Sequence, residues 1–149
     1  MTEPSQPQLD ALQGRLCYQF SDPKLLKRAL THRSAGRHHN ERLEFLGDAV
    51  IGLAAASAFY DRFPEADEGV LSRLRALVVS GHSLAAIAKA FDLSPCLILG
   101  ESERKSGGRH RDSILADTLE ALLGAVALDA GPETALQLAR ANKIKLEVV

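Results

Sequence analysis

The stretch Asn40-Glu41-Arg42-Leu43-Glu44-Phe45-Leu46-Gly47-Asp48 constrains this chain more than any other. Its three carboxylates stand at i, i+3 and i+7. On a helix turning roughly 100° per residue, Glu41, Glu44 and Asp48 fall within about 60° of one another. Leu43, Leu46, Val50 and Leu53 fall on the opposite face, so the segment has one stripe for a core and one of stacked acids. Like charges three and four residues apart destabilise a helix unless a cation lies over them. Spacing alone leaves two readings, a metal site or a solvated acidic face.

A second stretch shifts the balance towards metal. Between Asp112 and Gly124, Ile114, Leu115, Leu119, Leu122 and then Val126 form an apolar stripe, and Asp117 and Glu120 share a turn away from it. Two such helices place four acids around one pocket. An all-oxygen ligand set suits hard cations such as Mg²⁺ or Mn²⁺ rather than zinc.

Asn40 to Asp48 resembles the signature of ribonuclease III, a nuclease that cuts double-stranded RNA. The likeness continues through Thr31-His32-Arg33-Ser34, Asp67-Glu68-Gly69, Leu71-Ser72-Arg73, Lys105-Ser106-Gly107-Gly108 and Asp112 to Glu120, in order, over roughly residues 10–138. It implies an all-α endonuclease-domain fold and hydrolysis of duplex RNA to 5′-phosphate and 3′-hydroxyl ends, in rRNA or mRNA processing. It also implies Mg²⁺ as cofactor, with Mn²⁺ as a substitute. Glu44, Asp48, Asp117 and Glu120 correspond to the metal quartet, with Asp48 and Glu120 the most sensitive catalytic positions. Glu41 matches a supporting acidic position. Asn40 is either a plain N-cap or a residue near substrate. Phe45 lies by helical angle near the acidic face, where an exposed aromatic suggests a partner surface. The resemblance implies a homodimer in which it enters a socket on the other subunit.

A net charge of −1 is a weak footprint for a nucleic-acid binder. It is reconciled if acids gather at the metal pocket and bases flank it. Arg33, Arg37, His38 and His39 precede the first acidic helix, and Lys105, Arg109, His110 and Arg111 precede the second. Arg33, Arg37, His38, Lys105, Arg109 and Arg111 are RNA-contact candidates; ordinary exposed loops are the alternative. His32, near a helix end, reads as structural.

Few aromatics and no Trp leave a core of Leu, Ala, Val and Ile, which favours packed helices. Pattern and punctuation predict about seven: a short first helix with Leu9, Leu12 and Leu16, one opened by Asp22-Pro23, the signature helix to about Arg62, helices near 70–79 and 83–91, the second acidic helix over 112–128, and a last one from Pro132 to about Ala141. Gly47 and Gly52, inside the signature helix, suggest close approach of another backbone. Residues 1–8 read as a disordered start, 9–141 as the catalytic domain, and 142–149 as a tail of uncertain structure. Family members continue into a double-stranded-RNA-binding domain. The 149 residues hold none, so the chain is a fragment or a minimal form. No apolar run reaches the length of a bilayer span, and Cys17 and Cys96 read as reduced thiols, so a cytoplasmic protein is expected.

Overall fold

The computed structural model describes residues 3–141, so the tail 142–149 lies outside the described residues. Among those described the chain is all-α: α1 (Gln6–Leu16), α2 (Pro23–Leu30), α3 (Glu41–Arg62), α4 (Glu68–Val78), α5 (Gly81–Ala90), α6 (Glu101–Lys105), α7 (Asp112–Ala130) and α8 (Pro132–Ala141). The eighth helix is α6, one turn within the glycine-rich stretch that sequence assigns to loop.

The caps explain most boundaries. Ser5 accepts the Gln8 N–H while the Gln8 side chain accepts the Ser5 N–H, a reciprocal capping box. Helix α1 therefore starts inside the stretch 1–8 expected to be disordered, and Glu3 is also placed, 2.9 Å from Lys27 Nζ. Asp22 and Asp67 cap α2 and α4. Ser80, not Ser83, caps α5: its hydroxyl accepts the Ser83 N–H at 3.2 Å, which makes Gly81 the first residue of that helix. A 3₁₀ turn ends at Cys96, and Ile98 then makes one parallel bridge to Thr31.

Helix α7 is the axis of the domain, packed by α2, α3, α5 and α8. Every residue from Ile114 to Val126 is buried except Asp117. A helix apolar all round must be enclosed all round, so the single stripe expected from sequence is corrected to a helix buried on every side, Glu120 included. Helix α3 lies along it. Its buried face is Leu43, Gly47, Val50, Ile51, Ala54, Ala55 and Phe59; Leu53, expected in the core stripe, is 56 % exposed. By length and composition α3 could cross a bilayer, contrary to the expectation that no segment could. Its packing on α7 and α8 is that of a core helix.

The α3–α7 crossing rests on two glycines. A Cβ on Gly47 would stand 1.6 Å from the Glu120 carbonyl oxygen, and one on Gly124 would stand 2.1 Å from the Leu43 carbonyl oxygen. The close approach expected at Gly47 is real. At Gly52 nothing lies within 4 Å, so the same expectation fails there. Gly47→Ala should destabilise the domain by about 3 kcal/mol or more, since a rigid backbone rather than a side chain must yield. Gly14→Ala in α1, where a Cβ meets nothing, should be neutral or stabilise by up to about 1 kcal/mol. Urea unfolding of the two variants checks this; equal midpoints would show that the helices separate without cost.

Candidate active site

The glycine crossing decides which side chains meet. With α3 and α7 in backbone contact at Gly47 and Glu120, the acids at the contact, Asp48 and Glu120, and those one turn before it, Glu44 and Asp117, converge. Carboxylate oxygens of Glu44, Asp117 and Glu120 lie within 4.8 Å of one another. Asp48 stands at the rim, exposed, hydrogen-bonded to Glu120. An open hollow of about 560 Å³ is lined by Glu41, Glu44, Phe45, Asp48 and Glu120. Three of the four quartet residues thus form one cluster and the fourth adjoins it through Glu120.

Three carboxylates cannot all keep their charge cheaply in such a space. Burial, then the Asp117 charge, raises the pKa of Glu44 to about 7. Burial, then a hydrogen bond that the protonated Glu120 carboxyl donates to Asp48, and the neighbouring charges raise Glu120 to about 8. Burial also raises Asp117, which hydrogen-bonds Glu44. The cluster holds protons where a cation would be held better. A hard, multiply charged ion with oxygen ligands fits this donor set.

Beside the cluster lies a second hollow of about 730 Å³, reaching from Glu44 and Asp117 to His32, Arg33, Glu103 and Arg111. Asn40 borders it but is no plain N-cap. Its side chain makes no capping bond; it is buried and donates to the Ala29 carbonyl at 2.9 Å, tying the end of α2 to the start of α3. Glu41 is exposed, 3.7 Å from Arg33 and 3.8 Å from His39. Glu103, missed by sequence reasoning, pairs with Arg111 and packs against Gly108. The signal for it was available: an acid two residues before Lys105-Ser106-Gly107-Gly108.

The basic candidates divide. Arg37 and His38 are exposed on the loop before α3. Arg33 and Arg111 line the second hollow, and Lys105 pairs with Glu101 at 2.8 Å. Arg109 is corrected. Its guanidinium donates to the Ser94 and Leu97 carbonyls at 3.1 and 2.9 Å and holds the α5–α7 connection together. Phe45 is 83 % exposed, as its helical angle predicts. On the outer face of α3, Asp48, Gly52, Leu53 and Ala56 with Arg75 and Val79 enclose an open hollow of about 810 Å³.

The fold and cleft define an all-α domain whose two central helices cross at glycines and gather acids that could hold a metal ion. The family model described as Ribonuclease-III-like matches residues 22–146, and the chain belongs to the ribonuclease III family. It is 55 % identical over 125 residues to Ribonuclease 3 of Colwellia psychrerythraea, covering 84 % of this chain and 47 % of that one. It is 57 % identical over 127 residues to Ribonuclease 3 of Pseudomonas fluorescens, covering 85 % and 56 %. The chain therefore spans about half the length of these curated relatives. The nuclease domain of ribonuclease III from Campylobacter jejuni superposes with a TM-score of 0.91 at 40 % identity, covering 95 % of this chain and 99 % of that one. Dicer from Pichia stipitis is similar at a TM-score of 0.59 and 29 % identity, covering 83 % and 52 %.

The shifted acids make metal binding depend on pH. Glu44 and Glu120 bind protons more tightly folded than unfolded, since their pKa values rise from 4.5 to about 7 and about 8. In the metal-free protein that stabilisation is complete below about pH 4.5 and is lost as pH rises through about 7 and 8. In EDTA the melting temperature should fall over that window, and the rise produced by Mg²⁺ should grow with pH. An Mg²⁺-induced shift equal at pH 5.5 and pH 8 would place the ion elsewhere.

Proposed function

We propose that this chain is the catalytic part of an endoribonuclease that hydrolyses double-stranded RNA with Mg²⁺, or Mn²⁺ as a substitute, in the cytoplasm, in rRNA or mRNA processing. The observation that carries the reading is the convergence of Glu44, Asp117 and Glu120, with Asp48 beside them, in a domain of this family. The four acids would hold the metal, with Asp48 and Glu120 the most demanding positions. When bound, the metal neutralises phosphate charge, lowers the pKa of a water and stabilises the leaving oxygen. Water oxygen bonds to phosphorus, the bond to the 3′-oxygen breaks, and the proton shed by the water balances the one that the 3′-oxygen takes up. The products carry 5′-phosphate and 3′-hydroxyl ends. Arg33, Arg37, His38, Lys105 and Arg111 are proposed to meet RNA backbone, where basic side chains fix register without reading sequence. Arg109 is withdrawn from that set.

The same reading includes a homodimer. The Campylobacter jejuni nuclease domain is described as having structural flexibility in a region involved in dimer formation. Here the face of α3 turned from α7 carries Phe45, Leu53 and Tyr60, all exposed. Phe45 of one copy would enter the hollow over Gly52 and Leu53 of the other, and the reverse, a self-complementary two-fold contact. Gly52 then acquires a purpose that the monomer does not explain. Two sites related by a two-fold axis suit a substrate with two strands.

Glu120→Gln keeps shape and removes one charge. Duplex cleavage should fall by roughly 10²- to 10³-fold, since metal charge supplies several kcal/mol at the transition state, while RNA binding persists or strengthens. EDTA should abolish cutting by the parent chain. A variant that cuts like wild type would reduce the acids to surface charge and leave a binding module as the better reading.

Phe45→Ala should raise the dimer dissociation constant by roughly thirtyfold or more, the effect of losing a central apolar anchor worth about 2 kcal/mol. Sedimentation equilibrium of both proteins measures it. A wild-type chain that stays monomeric at every concentration removes the premise.

A further inference from the structure

His32 has no place in the chemistry above, yet it is held more firmly than a loop histidine needs to be. The Ser34 backbone N–H donates to His32 Nδ1 at 3.1 Å, and the Ser34 hydroxyl lies 2.7 Å from the same nitrogen. That hydroxyl oxygen also accepts the Gly100 N–H at 2.9 Å. The His32 backbone N–H donates to the Ile98 carbonyl at 2.9 Å. Gly100 sits so close to Ser34 that a Cβ there would lie 2.2 Å from its carbonyl oxygen. Ser34 thus holds the imidazole directly, while Ile98 fixes the His32 backbone and Gly100 fixes Ser34.

The Ser34 N–H contact favours one tautomer. A ring nitrogen that accepts an N–H bears no proton, so the Ser34 hydroxyl donates to Nδ1 as well, and the neutral ring carries its proton on Nε2. Protonating Nδ1 would break the contact with the Ser34 N–H and reverse the one with the Ser34 hydroxyl. Burial lowers the pKa of His32 in the same direction. Nε2 has no hydrogen-bond partner among the described residues, and the half-buried ring lines the hollow of about 730 Å³ that adjoins Glu44 and Asp117.

Beside His32 that hollow holds Arg33 and Arg111, which pair with Glu41 and Glu103, and the carboxylates of Glu44 and Asp117. Arginine only donates, and so does His32 Nε2–H in this tautomer. A group that only accepts matches these donors, and a cation held by Glu44 and Asp117 would offset its negative charge against the acids. We propose that His32 is a substrate-binding residue whose Nε2–H donates to a phosphate oxygen flanking the bond that is cut. This rests on the nuclease reading above and adds a contact from outside the carboxylate cluster. A fixed neutral donor holds the strand without competing with the metal for the acids.

Two variants separate the nitrogens. His32→Asn keeps an acceptor where Nδ1 stands and has no donor at the Nε2 position. His32→Gln does the reverse. Cleavage of a defined RNA duplex in Mg²⁺ should lose about 10- to 100-fold in kcat/KM in His32→Asn at unchanged melting temperature, the range for losing a hydrogen bond to a charged group. His32→Gln should recover part of that loss. The opposite order, an active His32→Asn and an inactive, less stable His32→Gln, would show that the ring only braces Ser34. Duplexes carrying one neutral methylphosphonate at each flanking position give a second reading. At one position the substitution should slow wild type and add nothing in His32→Asn; losses that add at every position overturn the contact. If wild type does not cut duplex RNA, the nuclease reading has failed instead. Affinity for the uncut duplex in EDTA and low salt then still reads His32: weaker binding by His32→Asn supports the contact, and equal binding ends it.

Discussion

Two glycines facing two carbonyls hold the rest of this structure in register. Gly47 on α3 meets the backbone at Glu120 on α7, and Gly124 on α7 meets the backbone at Leu43 on α3. The exchange is reciprocal, so neither helix can slide or roll without a clash or a gap. Glycine costs helix stability, about 1 kcal/mol each relative to alanine, and here the return is geometric. Interaxial contact at backbone range leaves no room for side chains between the helices at the crossing. The side chains just beside it must therefore project along the cleft edge, and those are Glu44 and Asp48 from one helix and Asp117 and Glu120 from the other. The site is a consequence of how closely the helices approach.

That geometry sets a conflict between folding and chemistry. Glu120 is 8 % exposed in a helix otherwise filled with Leu, Ala and Val. Burying a carboxylate near two others is unfavourable unless protons or a cation neutralise the group. The raised pKa values of Glu44 and Glu120 express that conflict in the metal-free protein. A cation bound among these acids would relieve the same conflict, because the repulsion falls on binding. Stability is given up at the site and recovered in the surrounding core, where Leu115, Leu122 and Val126 are almost wholly enclosed.

Much of this was legible because its causes are local. Asp22 before Pro23, Asp67 two residues before Gly69, and Gly131 before Pro132 mark helix ends through short-range chemistry. The acid spacing of α3 needs only the helical repeat. The failures are non-local. Leu53 has the hydropathy of a core residue, and nothing in its own sequence says that α7 lies on the other side of α3. The sequence of α7 holds acids at a helical interval, yet its polar side is enclosed by α3, so a periodicity argument exposes Glu120 wrongly. Asn40 has the right residue type for a cap, but its amide is drawn inward by the Ala29 carbonyl. Arg109 looks like one more loop base; only the placement of Ser94 and Leu97 reveals that its hydrogen bonds are already made inside the protein.

Charge offers the last step. A chain of net charge −1 seems ill suited to a polyanion. The distribution matters more than the sum. Glu44, Asp48, Asp117 and Glu120 occupy one cleft, where bound divalent metal would cancel most of their charge. Arg33, Arg37, His38 and Arg111 lie on the segments that lead into that cleft, and the Arg109 charge is committed to backbone carbonyls. Without metal the cleft repels phosphate. On the proposed reading, metal in the same cleft would make it the place where phosphate is held best, flanked by donors that do not compete for the ion. Electrostatics can thus make cation binding a precondition of productive RNA binding, with affinity governed by the ion and by the few bases around it rather than by the charge of the whole chain.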